Sequence, residues 1–179
     1  MKIYGNRQLK TLPGKVIRPT SALVREAVFN IWQSSIADCR WLDLCAGNGS
    51  MGAEALCRGA SLVIGIEKWA KACAVIKQNW EQVAQPNQNF EVIRGDVVRQ
   101  LKILAGKQFD YIYFDPPYAS KLYQPVLEAI AHYQLLDNMG ELAVEHSANQ
   151  APSTPYSNLE VCRQKVYGNT ALTFYCCQG

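Results

Sequence analysis

The chain has 179 residues, 49% of them apolar and 18% charged, with a formal net charge of +3. These proportions exclude an intrinsically disordered chain, and the length suffices for one buried core without disulfides or a structural metal. No apolar run approaches the ~18 residues of a membrane span, and the start Met1-Lys2-Ile3-Tyr4 has no secretory pattern, so a cytoplasmic protein away from membranes is expected.

Charge is unevenly placed. The first 25 residues hold six of the 18 basic side chains (Lys2, Arg7, Lys10, Lys15, Arg18, Arg25) and no acidic one, so 12 basic groups face 15 acidic ones in the remainder. A basic arm on a mildly acidic body suits a polyanionic partner touched at one end, or a solvated tail. The seven cysteines are odd in number and form no CxxC pair. Most stand in apolar runs, where a thiol behaves as a small hydrophobe, so buried free thiols in a reducing compartment are expected and no metal site.

Residues 1–19 place turn signals at Gly5-Asn6, Pro13-Gly14 and Arg18-Pro19 between short extended pieces, which predicts a small hairpin-like arm. A helix begins near Ser21, with Thr20 or Ser21 as N-cap and Leu23, Ala27, Val28 and Ile31 on one stripe. Strand and helix then alternate: strand 40–45, helix 50–58 closed by Gly59, strand 61–67, helix 69–83 and strand 90–94. A short helix 97–105, strand 109–114, a helix near 122–136 and strand 141–145 follow. Runs 159–166 and 171–177, joined by Tyr167-Gly168-Asn169-Thr170, read as an antiparallel hairpin. The expected fold is α/β, a single domain over 1–179: a doubly wound, mostly parallel sheet with a C-terminal antiparallel hairpin and a small N-terminal arm over 1–20. Ligands in such a sheet bind beyond the carboxyl ends of the strands.

The first strand of the alternating part runs into Gly47-Asn48-Gly49-Ser50-Met51-Gly52, a GxGxxG that opens a helix. Glu67 lies 20 residues after Gly47, at the end of the next strand, where a carboxylate can accept bonds from both hydroxyls of a ribose. Asp43, inside the strand before the loop, would repel a pyrophosphate but suit the ammonium and sulfonium charges of S-adenosylmethionine; it could also cap loop amides. Asp96 could accept a bond from an adenine amino group, or cap the helix that starts at Val97.

Asp115-Pro116-Pro117-Tyr118 ends the fourth strand. The two prolines supply no N–H and hold the chain stiff, which leaves carbonyls as acceptors. A carboxylate and a proline carbonyl together can accept both hydrogens of an exocyclic amine and aim its lone pair, while Tyr118 offers a stacking face to an unpaired base.

In that order, behind a glycine loop and a ribose acid, Asp-Pro-Pro-Tyr resembles the amino-methyltransferase signature. Arg18-Pro19-Thr20 with Val24-Arg25-Glu26-Ala27-Val28-Phe29-Asn30 resembles the "RPT…VREALFN" segment of the bacterial 16S rRNA guanine-N2 methyltransferases (RsmD type). Leu42-Asp43-Leu44-Cys45-Ala46-Gly47-Asn48-Gly49 with Glu54-Ala55-Leu56-Cys57-Arg58-Gly59-Ala60 is similar to that family's "LDLFAGSG…EALSRGA". The resemblance runs from about residue 2 to 146 and more loosely to the C-terminus.

The resemblance implies a Rossmann-like class I methyltransferase fold, S-adenosylmethionine as methyl donor and guanine 966 of small-subunit rRNA as acceptor. It places Asp43, Gly47, Gly49, Glu67 and Asp96 at the cofactor. Asp115, Pro116 and Tyr118 would hold the guanine amine, while Arg18, Thr20 and Arg25 would line the methionine end or reach RNA, with Arg7 and Lys10 of the arm as further RNA contacts. The arm departs from the family's usual Gly-Gly and Arg-Gly-Arg pattern: Gly5-Asn6-Arg7-Gln8-Leu9-Lys10 keeps one glycine and has Leu9 in place of another. The expected partner is 16S rRNA or a small-subunit particle, met by a monomer. Three rival readings differ in what they bind: an N6-adenine methyltransferase, a nicotinamide oxidoreductase and a non-catalytic RNA-binding module. Asp43 and Asp-Pro-Pro-Tyr speak against the second, and the intact motif against the third. His132 and His146 receive no role.

Overall fold

The computed structural model describes residues 1–12, 21–152, 156 and 158–178. The arm pairs β1 (Lys2–Ile3) with β2 (Arg7–Gln8) across a turn in which Gly5 takes a left-handed φ of 69°. Its apolar Ile3 and Leu9 are buried, while Lys2 and Lys10 face out. The expected hairpin-like arm is therefore present over its first eight residues, and the part beyond Leu12 lies outside the described residues.

Helix α1 (Ala22–Ile31) starts at Ser21, whose hydroxyl accepts the Val24 amide at 3.2 Å. Its buried stripe is Val24, Val28 and Phe29, carried on by Trp32. Leu23, expected on that stripe, is 60% exposed, because it stands about 100° around the helix from Val24 and that turn faces solvent.

From there the chain alternates β3 (Arg40–Leu44), α2 (Ser50–Cys57), β4 (Leu62–Glu67), α3 (Ala70–Val83), β5 (Asn89–Arg94), α4 (Val97–Ile103), β6 (Phe109–Phe114), α5 (Tyr123–His132) and β7 (Leu136–Ser147). The hairpin β8 (Leu159–Tyr167) and β9 (Thr170–Cys177) follows. The sheet runs β5-β4-β3-β6-β7-β9-β8. Its first five strands are mutually parallel, β9 is antiparallel to β7, and β8 is antiparallel to β9. One face buries residues of α1, α2 and α3 with Trp41, Val63 and Tyr113; the other buries residues of α4 and α5 with Leu42, Ile64 and Ile112. The order reverses between β3 and β6, which puts the chain's crevice at their carboxyl ends.

The helix expected to reach Leu136 stops at His132. Gln134 takes a left-handed φ of 51°, and the buried Leu135 and Leu136 that extend the apolar pattern lead instead into β7. That strand is longer than expected, because its first residues pair with β6 across an irregular register. The thiols also depart from expectation: Cys39 alone among them is buried, where burial pushes it up to about 12, whereas Cys162 is exposed and the others are half-buried.

Trp80 of α3 binds the parallel half together. Fully buried, its indole lies across three glycines. A methyl group on Gly52 would stand 2.3 Å from ring atom Cζ2, one on Gly65 2.5 Å from Cη2, and one on Gly49 2.8 Å from Nε1. The same Nε1 donates to the Gly49 carbonyl at 2.8 Å. Gly65→Ala should therefore cost about 1–3 kcal/mol in urea unfolding through overpacking. Combined with Trp80→Phe it should cost less than the sum of the two single changes, since the smaller ring frees the space; additive losses would contradict this packing.

Candidate functional site

The crevice is built first by the turn between β3 and α2. Cys45, Gly47 and Gly49 take left-handed φ values of 59°, 60° and 73°, so the backbone doubles back sharply. Asp43, 2% exposed, turns its carboxylate under this loop and accepts the Gly52 amide at 3.0 Å. Glu67 at the end of β4 accepts the Gly47 amide at 2.9 Å through one oxygen and the Trp69 amide at 2.9 Å through the other. It thereby joins the glycine turn to the start of α3.

Behind the turn, Asn79 of α3 is fully buried. It donates to the carbonyls of Asn48 (2.9 Å) and Lys10 (3.0 Å) and accepts the Lys10 amide at 2.9 Å. The N-terminal arm is thus tied to the glycine turn through one side chain.

The opposite wall is the end of β6 and the start of α4. Asp115 follows Phe114, and its amide donates to the Leu44 carbonyl at 3.4 Å. Pro116 and Pro117 carry the chain outward to Tyr118, whose hydroxyl donates to Glu145 at 3.0 Å and lies 2.9 Å from the Thr170 hydroxyl. The Tyr113 hydroxyl donates to the second oxygen of Glu145. Asp96 caps α4 by accepting the Arg99 amide at 3.2 Å, and it also lines the crevice.

Together these residues enclose a cavity of about 650 Å³, within the range of small-molecule sites. Its wall includes Asp43, Gly47, Glu67, Asp96, Asp115, Pro116 and Tyr118 from the sequence-predicted set, together with Glu145. Among the described residues that line it, five carry carboxyl groups and one, Lys68, is a base. Such a wall holds a negative potential that attracts a cation and repels a polyphosphate. These acceptors fit a nucleoside that carries positive charge, such as S-adenosylmethionine, with Glu67, Asp96, Asp43 and Asp115 as the residues that would hold it.

Other sequence-predicted residues lie elsewhere. The open side of Gly49 is filled by Trp80 and Ile76 of the chain itself, so its freedom serves internal packing rather than the approach of a ligand. Arg25 corrects the expectation of a contact with the methionine end or RNA. It is 3% exposed, its Nε donates to Glu54 at 2.6 Å, and its guanidinium donates to the Lys2 carbonyl at 3.0 Å. Those bonds fix the arm and α1 to α2. Arg7 stands beside Cys57 of α2, and Lys10 keeps an exposed ammonium bonded to Gln78 at 3.0 Å. Arg18 and Thr20 lie outside the described residues.

Sequence reasoning missed Asn79, Trp80 and Glu145. Asn79 and Trp80 lie on the buried face of α3 with Ile76 and Val83. A polar residue on that apolar stripe was the available sign; Glu145 had none, since a carboxylate at a strand end reads as solvated.

Burial pushes the Asp43 carboxyl up to about 8, the charge of Glu67 adds to the push, and the Gly52 amide pulls it the other way. The folded chain then holds that proton to a higher pH than the unfolded chain, where an aspartate titrates near ~4. The resulting stability is fully present below about pH 4 and is lost as pH rises toward 8. Asp43→Asn, which stays neutral, should lack this loss. The melting temperature of the variant relative to wild type should rise between pH 4 and 8 and level off outside that window; a constant or falling difference would contradict the burial argument.

Comparison with known proteins agrees with the geometry. YlbH, a candidate rRNA methyltransferase of Bacillus subtilis, is 32% identical over 171 residues, covering 94% of this chain and 92% of its own. Ribosomal RNA small subunit methyltransferase D of Haemophilus influenzae is 27% identical over 174 residues, covering 97% of this chain and 90% of its own. The solved structure of yhhF from Escherichia coli superposes with a TM-score of 0.84 at 27% identity, covering 99% of this chain and 98% of that one. The family described as Conserved hypothetical protein 95 matches residues 1–176, and the chain belongs to it, as its RsmD-type segments between Arg18 and Ala60 lead one to expect.

Proposed function

We propose that this chain transfers the methyl group of S-adenosylmethionine to the exocyclic N2 amine of a guanine in small-subunit rRNA, at the position the resemblance gives as guanine 966. The observation that carries the reading is Asp115-Pro116-Pro117-Tyr118, placed where β6 ends beside the glycine turn in a crevice walled by carboxylates. Relatives named ribosomal RNA small subunit methyltransferase D support rRNA as the acceptor class.

S-adenosylmethionine, when bound, supplies an electrophilic methyl group next to a sulfonium charge. The chain's part is to position and to stabilise charge. Glu67 holds a ribose from the end of β4, and Asp43 keeps the glycine turn in shape beneath the charged end. Asp115 and the Pro116 carbonyl accept the two amine hydrogens, which withdraws the nitrogen lone pair from the ring and turns it toward the donor side of the crevice. No strong base is needed beforehand, because the amine proton becomes acidic only as the nitrogen gains positive charge. Asp115 then takes that proton or relays it to water. Tyr118, held by its hydroxyl to Glu145 and Thr170, presents a fixed ring on which an extruded base stacks.

Labelled S-adenosylmethionine, incubated with 16S rRNA and with small-subunit particles from cells lacking the modification, tests this directly. Label should appear in N2-methylguanosine after digestion to nucleosides, and Asp115→Ala should slow it by at least ~100-fold. Label in N6-methyladenosine would overturn the base assignment. No label in either substrate, with the donor bound, would overturn the activity.

A further inference from the structure

We propose that Glu145 reads the N1–H of the target guanine and so sets the preference for guanine over bases that lack this hydrogen. The inference rests on the guanine reading above and names the residue that would enforce it.

Glu145 follows Val144, the last residue of β7 paired with β6, and is 4% exposed, yet it lines the cavity. The parallel register matches Phe114 with Val144, so Asp115 leaves the end of β6 next to the position of Glu145 on the neighbouring strand, and both line the same cavity. By strand alternation Glu145 lies on the face that carries Ala143, the face of Tyr113 on β6. Two neighbouring carboxylates are thus offered at one mouth of the crevice.

The partners of Glu145 set it apart from the other buried glutamate. Glu54 is held by the guanidiniums of Arg25 and Arg58, a complete ion pair. Glu145 has no cationic partner among the described residues; its oxygens accept from the neutral hydroxyls of Tyr113 and Tyr118. Burying a carboxylate without a counter-charge does not stabilise a fold. Each oxygen also keeps a further lone-pair site, because a carboxylate accepts about four bonds in all. The two phenols therefore orient the group and leave it able to accept from a ligand.

The Watson–Crick edge of guanine presents N1–H directly beside the N2 amine, two adjacent donors with the O6 acceptor beyond them. An amine held by Asp115 and Pro116 brings N1–H toward the neighbouring strand, where Glu145 accepts it. Adenine alternates instead: beside its amine stands the N1 lone pair, which would face the carboxylate repulsively. Thr170 of β9 holds Tyr118, so the C-terminal hairpin shares in fixing this reader.

The test uses 16S rRNA carrying either guanine or 2-aminopurine at the target position. 2-Aminopurine keeps the 2-amine but has an N1 lone pair in place of N1–H. Wild-type protein should methylate guanine faster by on the order of 10- to 100-fold in kcat/KM. Glu145→Gln should lose rate on guanine and shrink that ratio about tenfold, because a carboxamide can turn an N–H toward N1. Equal slowing on both bases would show that Glu145 only positions Tyr118 and would overturn the proposal. So would a wild-type protein indifferent to the two bases, a measurement that needs no variant to fold. Failure of the wild type to label guanine at all would instead remove the guanine reading itself.

Discussion

The indole of Trp80 pressed against Gly49, Gly52 and Gly65 is the constraint on which the site depends. It brings α3 within contact of both β4 and α2, and its Nε1 fixes the carbonyl at the tightest point of the glycine turn. With a side chain at any of the three glycines, the ring would be pushed out and the turn would lose its backing. The glycines of a nucleotide-type loop are commonly read as room for a ligand. Here two of the three in Gly47-x-Gly49-x-x-Gly52 make room for the protein's own tryptophan, while Gly47 and Asn48 line the crevice.

On this scaffold the same carboxylates do structural and chemical work. Asp43 and Glu67 satisfy three loop amides among them, at Gly52, Gly47 and Trp69, and so hold the turn open. Glu67 also charges the wall, whereas Asp43 charges it only once its proton is lost. A buried aspartate with its carboxyl pushed up to about 8 is favoured in its ionised form by an incoming cation and disfavoured by an incoming anion. The bonds that shape the crevice thus place the carboxyl groups that would favour a positively charged nucleoside. Asn79 extends the scaffold to the arm: one buried amide ties Lys10 to Asn48, so the basic N-terminus and the glycine turn form one unit.

Much of this was legible in the sequence, for physical reasons. The parallel strands are buried on both faces and read as continuous apolar runs such as Trp41-Leu42 and Ile112-Tyr113-Phe114, so the β3 to β6 half followed from pattern and turn residues alone. Asp43, Glu67, Asp96 and Asp115 stand at strand ends, where topology alone sends them to the crevice. What was hidden depended on contacts between distant segments. Arg25 reads as a surface base until Glu54, 29 residues away, is seen to bury it. Leu135 and Leu136 prolong a helical pattern that the backbone at Gln134 ends. Glu145, Tyr118 and Thr170 come from three segments and meet only once β7, β9 and the loop after β6 are assembled.

The central claim is that an acid-walled crevice at the carboxyl ends of β3, β4 and β6 selects a cationic nucleoside donor over an anionic dinucleotide. Calorimetric titration of the protein with S-adenosylmethionine and, separately, with NAD tests it most directly. The account predicts a saturable one-to-one isotherm with S-adenosylmethionine and no resolvable binding of NAD up to ~1 mM, the weak end of measurable affinity. Saturable binding of NAD, equal to or tighter than that of S-adenosylmethionine, would contradict it.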